Sequence, residues 1–350
     1  MAMRWMDGFD KYQTTNTDIT SDISRIYTFS GDGSVSTKNG RYTGKSASIV
    51  SYGTGTFITK SISSSGVSKF IIGFNINADS QTTGDFGSFW ISPSNATGNG
   101  SYQANRGLTF CRNGRVFYNS GQTAGQDLGL IASGWIHIEM VIPMSPGIGN
   151  PTIIYKNGIE IYNSTDATSS FGWNDFLKIG YPPNGINGGY MIDDLYILDD
   201  TGTRNNSRVS TLTYVPRIET LVPTSTVAND FSLTGVASAH LAGDNIPHNS
   251  SQYVSSTTND NKVRFGVGDL TNINNIKAVQ INSLCANSDV TTDSYKLLMN
   301  NTEIGTTKTV TNALISTTPI DYELLETNPI TSSAWTVSDV NSIEIGIINK

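Results

Sequence analysis

The chain has 350 residues, a formal net charge of −7 and 15% charged residues, against about 25% in ordinary soluble domains. That acidic balance excludes nonspecific nucleic-acid binding, which needs a basic footprint to release counterions. With 37% hydrophobic residues, among them 15 Tyr, 13 Phe and 5 Trp, there is material for a packed core, which excludes disorder, and the length accommodates two domains.

Residues 1–12 carry Arg4, Asp7, Asp10 and Lys11 and no apolar core of leader length, so no secretory signal is expected there. No stretch approaches the ~20 apolar residues of a membrane span. The expectation is a chain made in a cytosol, with neither nucleic acid nor membrane as partner.

The apolar clusters are short, β-branched or aromatic, and bounded by Gly, Asn, Asp, Ser or Pro, which is the pattern of strands and turns. Residues 68–76 contain Phe70-Ile71-Ile72-Gly73-Phe74-Asn75-Ile76, a buried strand. In 135–142 the residues Ile136, Ile138, Met140 and Ile142 share one face, with His137 and Glu139 on the other, outward face. Residues 153–162 predict two strands about Asn157-Gly158, a pair suited to the positive φ angles of a tight hairpin turn. Phe176–Gly180 and Tyr190–Leu198 follow, the latter apolar on both faces as in a strand packed inside a sandwich.

The polar stretch Asp199–Asn206 marks a seam. The division predicted is residues 1–200 as one β domain, 201–216 as a linker and 217–350 as a second β-sandwich. Strands are predicted there at Lys262–Val267, Ile276–Cys285, Tyr295–Met299, Thr307–Val310, Ile320–Leu325 and Ser342–Ile348. Thr336-Val337-Ser338-Asp339 has the form of a helix capping box after Trp335. Residues 223–261 read either as a surface excursion or as weak strands. Short strands, regular turns and no amphipathic helix make the fold class all-β.

Gly134-Trp135-Ile136-His137-Ile138-Glu139, the Tyr155–Gly158 hairpin and Gly189-Tyr190-Met191-Ile192-Asp193-Asp194-Leu195-Tyr196 together resemble the concanavalin A-like lectin/laminin-G superfamily. Gly40-Arg41-Tyr42-Thr43-Gly44-Lys45-Ser46 is similar to its entry into the second strand. The resemblance spans about Trp5 to Asp200 and implies a jelly-roll sandwich. Met6-Asp7-Gly8-Phe9-Asp10-Lys11-Tyr12, the passage Asp193–Gly202, Arg217-Ile218-Glu219-Thr220-Leu221-Val222-Pro223 and the end Trp335–Gly346 are similar to structural proteins of tailed bacteriophages. That resemblance implies a virion component.

The glucanases of the superfamily carry Glu-x-Asp-x-Glu on one strand, because glycoside hydrolysis takes two carboxylates flanking the bond. No Glu-x-Asp occurs here, and before residue 200 the glutamates are Glu139 and Glu160, on separate strands. Gly40–Ser46 has three residues between its glycines, not the four of a phosphate loop, and strand-like Ala47–Val50 follows instead of a helix. His137, His240 and His248 lack metal-ligand spacing, His137 reading as a surface or sheet-packing residue. Cys111 and Cys285 fall in different domains and are expected as buried free thiols. Asn-x-Ser/Thr triplets, as at Asn95, Asn163 and Asn249, are chance matches in an Asn/Ser/Thr-rich chain. The superfamily suggests calcium candidates at Asp193 and Asp194. Neighbouring strand residues face opposite ways, so one of the two turns inward, and the competing role is acceptance of turn amides. The expectation is therefore no catalytic residue and no cofactor. The chain is expected to be a non-enzymatic virion protein (decoration, tail or fibre subunit) contacting other virion proteins, and a homo-oligomer. The alternative is a glycan-binding adhesion module.

Overall fold

A computed structural model of the chain describes residues 2–12, 18–42, 44–52, 55–78, 88–92, 107–111, 114–119, 126–130, 134–145, 150–164, 176–181, 190–244, 251–271, 273, 275–287, 292–310 and 319–350. Thr43, Asn95, Gly189, His248 and Asn249 lie outside the described residues. Two compact units emerge, Met1–Glu219 and Thr220–Lys350. Helix is confined, among the described residues, to three segments of four or five residues.

The first unit contains β1 (Met3–Asp7), α1 (Thr20–Ile23), β2 (Thr28–Gly31), β3 (Ser34–Asn39), β4 (Lys45–Val50), β5 (Thr56–Ser61), β6 (Lys69–Ala78) and β7 (Ser88–Ser92). It continues with β8 (Gly107–Cys111), β9 (Arg115–Asn119), β10 (Gln126–Leu130), β11 (Ile136–Pro143), β12 (Ile153–Lys156), β13 (Ile159–Asn163), β14 (Phe176–Tyr181) and β15 (Tyr190–Asp199). One antiparallel sheet has the order β13-β12-β11-β6-β15-β4-β3, with β1 added on β15; the other runs β10-β9-β8-β7-β14-β5-β2. Alternation sends Phe70, Ile72, Phe74 and Ile76 of β6 and Ile136, Ile138 and Met140 of β11 into the space between the sheets, all buried. Phe74 meets Phe110 of the opposite sheet edge-to-face at 6.3 Å, and Phe89 meets Tyr190 at 5.7 Å. This is a two-sheet β-sandwich.

Local turn chemistry fixes the register. Asn157 and Gly158 have φ of 48° and 81° and join β12 to β13, as the Asn-Gly pair predicts. Gly73 has a different reason: a Cβ there would lie 2.0 Å from Cζ of Tyr196, whose ring crosses β6 at that point. Gly73→Ala is expected to displace that ring and cost about 1–3 kcal/mol, as overpacking does; a thermal midpoint equal to wild type would refute the tight approach.

The second unit contains β16 (Pro223–Asn229), β17 (Ser232–Thr234), α2 (His240–Gly243), β18 (Tyr253–Ser255), β19 (Lys262–Val267) and β20 (Val279–Ser283). Then come β21 (Asp293–Met299), β22 (Thr302–Val310), β23 (Asp321–Leu325), α3 (Val337–Asn341) and β24 (Glu344–Asn349). Among the described residues of 223–261 there are thus three strands and a helical turn. A five-stranded antiparallel sheet, β16-β19-β24-β21-β22, is accompanied by the ribbons β17-β18 and β20-β23. Ile281, Tyr295, Leu297, Met299, Trp335 and Val340 form its main core. Thr336 and Asp339 close the capping box of α3 reciprocally, as the sequence predicts. Cys111 is buried and Cys285 partly exposed; both are free thiols.

Candidate functional site

The outward face of the larger sheet is not a surface. Asn75, His137, Glu139 and Tyr196 point away from the sandwich core, yet His137 is 1% and Glu139 0% exposed. The histidine is therefore a sheet-packing residue, because residues 208–218 lie across this face as a strap. The Glu139 carboxylate accepts from Arg208 Nε at 2.9 Å, from the amides of Val209 and Ser210 at 3.1 and 3.3 Å, and from the Ser210 hydroxyl. The Arg208 guanidinium also sits 3.3 Å from the centre of the Tyr155 ring. The stretch predicted as a linker, 201–216, thus belongs by its contacts to the first unit.

Beneath the strap runs a row of buried polar side chains. The Tyr196 hydroxyl donates to Glu139 at 2.7 Å, His137 Nε2 lies 3.1 Å from that hydroxyl, and His137 Nδ1 lies 3.3 Å from Asn75 Oδ1. The Asn75 amide then donates to Asp194 at 2.7 Å. Burial pushes the His137 imidazole down to about 4, against the pull of Glu139, so it is neutral at physiological pH.

At the other end β15 breaks its alternation. A bulge between Asp193 and Tyr196 puts Asp194 at a φ of 51°, and both aspartates are buried beside Arg41 instead of on opposite faces. Asp193 accepts the amides of Arg41 and Asp194 at 2.8 Å each, and Asp194 accepts that of Ile218 at 2.6 Å. These carboxylates hold turn and strap amides. Burial, then repulsion from Asp194, pushes the Asp193 carboxyl up to about 8. Burial raises Asp194 to about 6, opposed by the Ile218 amide and Arg41.

Beside this pair a cleft opens among Asp10, Tyr42, Asp193, Arg217, Ile218 and Glu219. Tyr42, in the β3–β4 turn, is 54% exposed. The guanidinium groups of Arg41 and Arg217 lie 4.8 and 5.2 Å from its ring centre, and Arg217 pairs with Glu219. Asp10 accepts the Lys45 amide at 2.6 Å and crowds Gly44, where no Cβ would fit. The free volume is about 30 Å³, room for two or three waters at roughly 10–15 Å³ each. A ligand would therefore lie across the opening. A half-exposed aromatic ring with guanidinium groups over it and carboxylate acceptors beside it offers apolar surface, donors and acceptors, a combination that suits a polyhydroxylated ring.

Sequence reading singled out Asp193 and Asp194 and the segment 40–46, which the fold brings together. It missed Asp10, Arg217 and Glu219 as members of one cleft, since nothing in their spacing announces it. Glu139 was noted for what it lacks, an acidic neighbour, and its strap partners had no signal.

No protein-family model matches the chain, and no curated protein does. Among solved structures, it is similar to domain 4 of AbnA, an extracellular GH43 arabinanase of Geobacillus stearothermophilus, in complex with arabinotriose. That alignment has 17% identity and a TM-score of 0.36, over 57% of this chain and 92% of that one. The cellulose-induced protein Cip1 aligns at 14% identity and a TM-score of 0.40, over 59% of this chain and 99% of its own. A carbohydrate esterase of the Shiga toxin-encoding bacteriophage phi24B aligns at 12% identity and a TM-score of 0.38, over 54% and 96%.

Proposed function

We propose that the chain is a non-catalytic binding module whose first unit takes a surface saccharide across the Tyr42 cleft. The observation that carries this reading is the half-exposed Tyr42 ring set among Arg41, Arg217, Asp10 and Glu219. Charges of both signs line the opening, which favours a neutral oligosaccharide over a strongly anionic or cationic one. The exposed part of the ring supplies apolar contact, and the flanking groups supply donors and acceptors for hydroxyls.

An array of neutral bacterial and plant polysaccharides, followed by calorimetry, tests the reading. Tyr42→Ala is expected to weaken binding at least about tenfold, which is ~1.4 kcal/mol, while leaving the thermal midpoint unchanged. Equal affinity of wild type and variant would remove Tyr42 from the site. Incubation of the same polysaccharides with the protein is expected to release no reducing ends.

A second reading places the chain on a bacteriophage particle, as a subunit that binds other virion proteins and copies of itself. It is favoured by the resemblance of Met6–Tyr12 and Arg217–Pro223 to phage structural proteins. Exposed Ile159 and Leu212, 57% and 71% accessible, add apolar contact surface. The two readings are compatible in an attachment subunit. Cross-linking mass spectrometry on intact particles tests the second; a particle lacking the chain would overturn it.

A further inference from the structure

The strap has two buried anchors, with a row of buried polar side chains between them. Glu139 holds Arg208, Val209 and Ser210; Asp194 holds the Ile218 amide; and Tyr196, His137 and Asn75 lie between the two carboxylates. We propose that docking of Arg208–Ser210 on Glu139 assembles the Tyr42 cleft, making Glu139 and Arg208 positioning residues for a saccharide that neither touches. This inference rests on the saccharide reading above.

Arg217, Ile218 and Glu219, three of the seven residues that line the cleft, are the end of the strap and the residue that follows it, and none lies in a strand. Their places depend on the Ile218 amide bond to Asp194 and on Arg41, whose Nη1 donates to the Pro216 carbonyl at 3.4 Å. Little slack separates them from the first anchor. Thr211 and Tyr214 close a turn on each other, with bonds of 2.8 and 3.4 Å. Gly158 abuts the backbone of Thr211 and Leu212 so closely that a Cβ there would lie 2.4 Å from Thr211, and Pro216 fixes its own φ. On the far side of Arg208 the chain is different. Residues 201–206 are largely exposed, with Gly202 and Asn205 at φ of 78° and 50°, a segment able to absorb rotation when the strap lifts.

Losing the first anchor therefore releases the strap as a unit, and the Ile218 amide bond to Asp194 at its far end weakens with it. Reciprocity follows: a saccharide that touches Arg217 or Glu219 binds the docked strap preferentially and must tighten Val209 and Ser210.

Hydrogen exchange on the full chain tests this, with Arg208→Ala as the main variant because it leaves the sheet intact, and Glu139→Gln as the second. In Arg208→Ala the amides of Val209, Ser210 and Ile218 are expected to exchange about tenfold faster or more, together, while those of Ile72–Ile76 keep their protection. A neutral glucose hexasaccharide is expected to bind the variant about tenfold more weakly and, at saturation, to restore protection at Val209 and Ser210. A merely structural role of Arg208 would not produce that restoration. An Ile218 amide that keeps its wild-type rate in both variants overturns the coupling, whatever binds. Equal hexasaccharide affinity of wild type and Arg208→Ala overturns it as well. If wild type binds no saccharide on the array, the saccharide reading fails, and Ile218 exchange alone decides whether the anchors are coupled.

Discussion

Replacing Glu139 with alanine is expected to lower the unfolding free energy of the first unit by about 3–5 kcal/mol, the range for breaking a buried ion pair from one side. The carboxylate is fully buried and receives the Arg208 guanidinium, two amides and two hydroxyls. Arg208 is partly exposed and can turn to water, which limits its share of the cost. The buried Val209 and Ser210 amides lose their acceptor, and an unsatisfied buried donor costs about 1–3 kcal/mol. Glu139→Gln keeps an acceptor oxygen and should lose less. Urea unfolding of the full chain, followed by fluorescence, measures both. A loss below about 1 kcal/mol for the alanine variant would mean that the strap contributes no net stability through this anchor.

The first unit should also lose stability as pH rises above about 6.5. In the unfolded chain the two aspartates release their protons near pH 4. Folded Asp193 holds its proton to about 8 and Asp194 to about 6. Between those limits the folded state binds more protons than the unfolded, so stability falls with rising pH, by up to about 1.4 kcal/mol per pH unit for each unmatched proton. His137 acts in the opposite sense: its folded value of about 4 lies below the ordinary ~6.5, so it removes stability as pH falls from about 6.5 to 4. The two effects oppose each other on the acid side, and the aspartate slope emerges above it. Lys60, lowered to about 8 by burial, counters the slope near its upper end. The difference between wild type and Asp193→Asn isolates the carboxyl: the variant's profile is expected to be flatter from pH 6.5 to 8. Parallel profiles would sink the assignment.

Periodicity made the strands legible, because half-buried strands must alternate, and Asn157-Gly158 made the hairpin legible, because two successive residues there need positive φ. Asn300 and Asn301 make a comparable turn between β21 and β22, with φ of 46° and 66°, and the absence of glycine concealed it. Alternation assigned His137 and Glu139 to the correct face of β11 and wrongly implied that the face was open. A strap without periodicity covers it, and side-chain pattern carries no record of a cover supplied from residues 208–218. Asp193 and Asp194 misled for a related reason. A bulge breaks the two-residue period locally, and adjacent aspartates in an apolar strand are its only trace. The capping box of α3 was legible because all of its partners lie within four residues.

The position of β1 sets a condition on how the first unit forms. Met3–Asp7 pairs with Leu195–Leu198, and Arg4 bonds Asp199 across a separation of 195 residues. A ribosome would have to finish β15 before the first strand has a neighbour, and the strap could seal the polar face only some ten to twenty residues later. Until then β1 has no strand to pair with, and the closure entropy of so long a loop must be met before that pairing compensates it. Folding of this unit should accordingly be slow for its size, as for other sheets dominated by distant pairings. Chains released before the strap is made would expose Asn75, His137 and Glu139 to water.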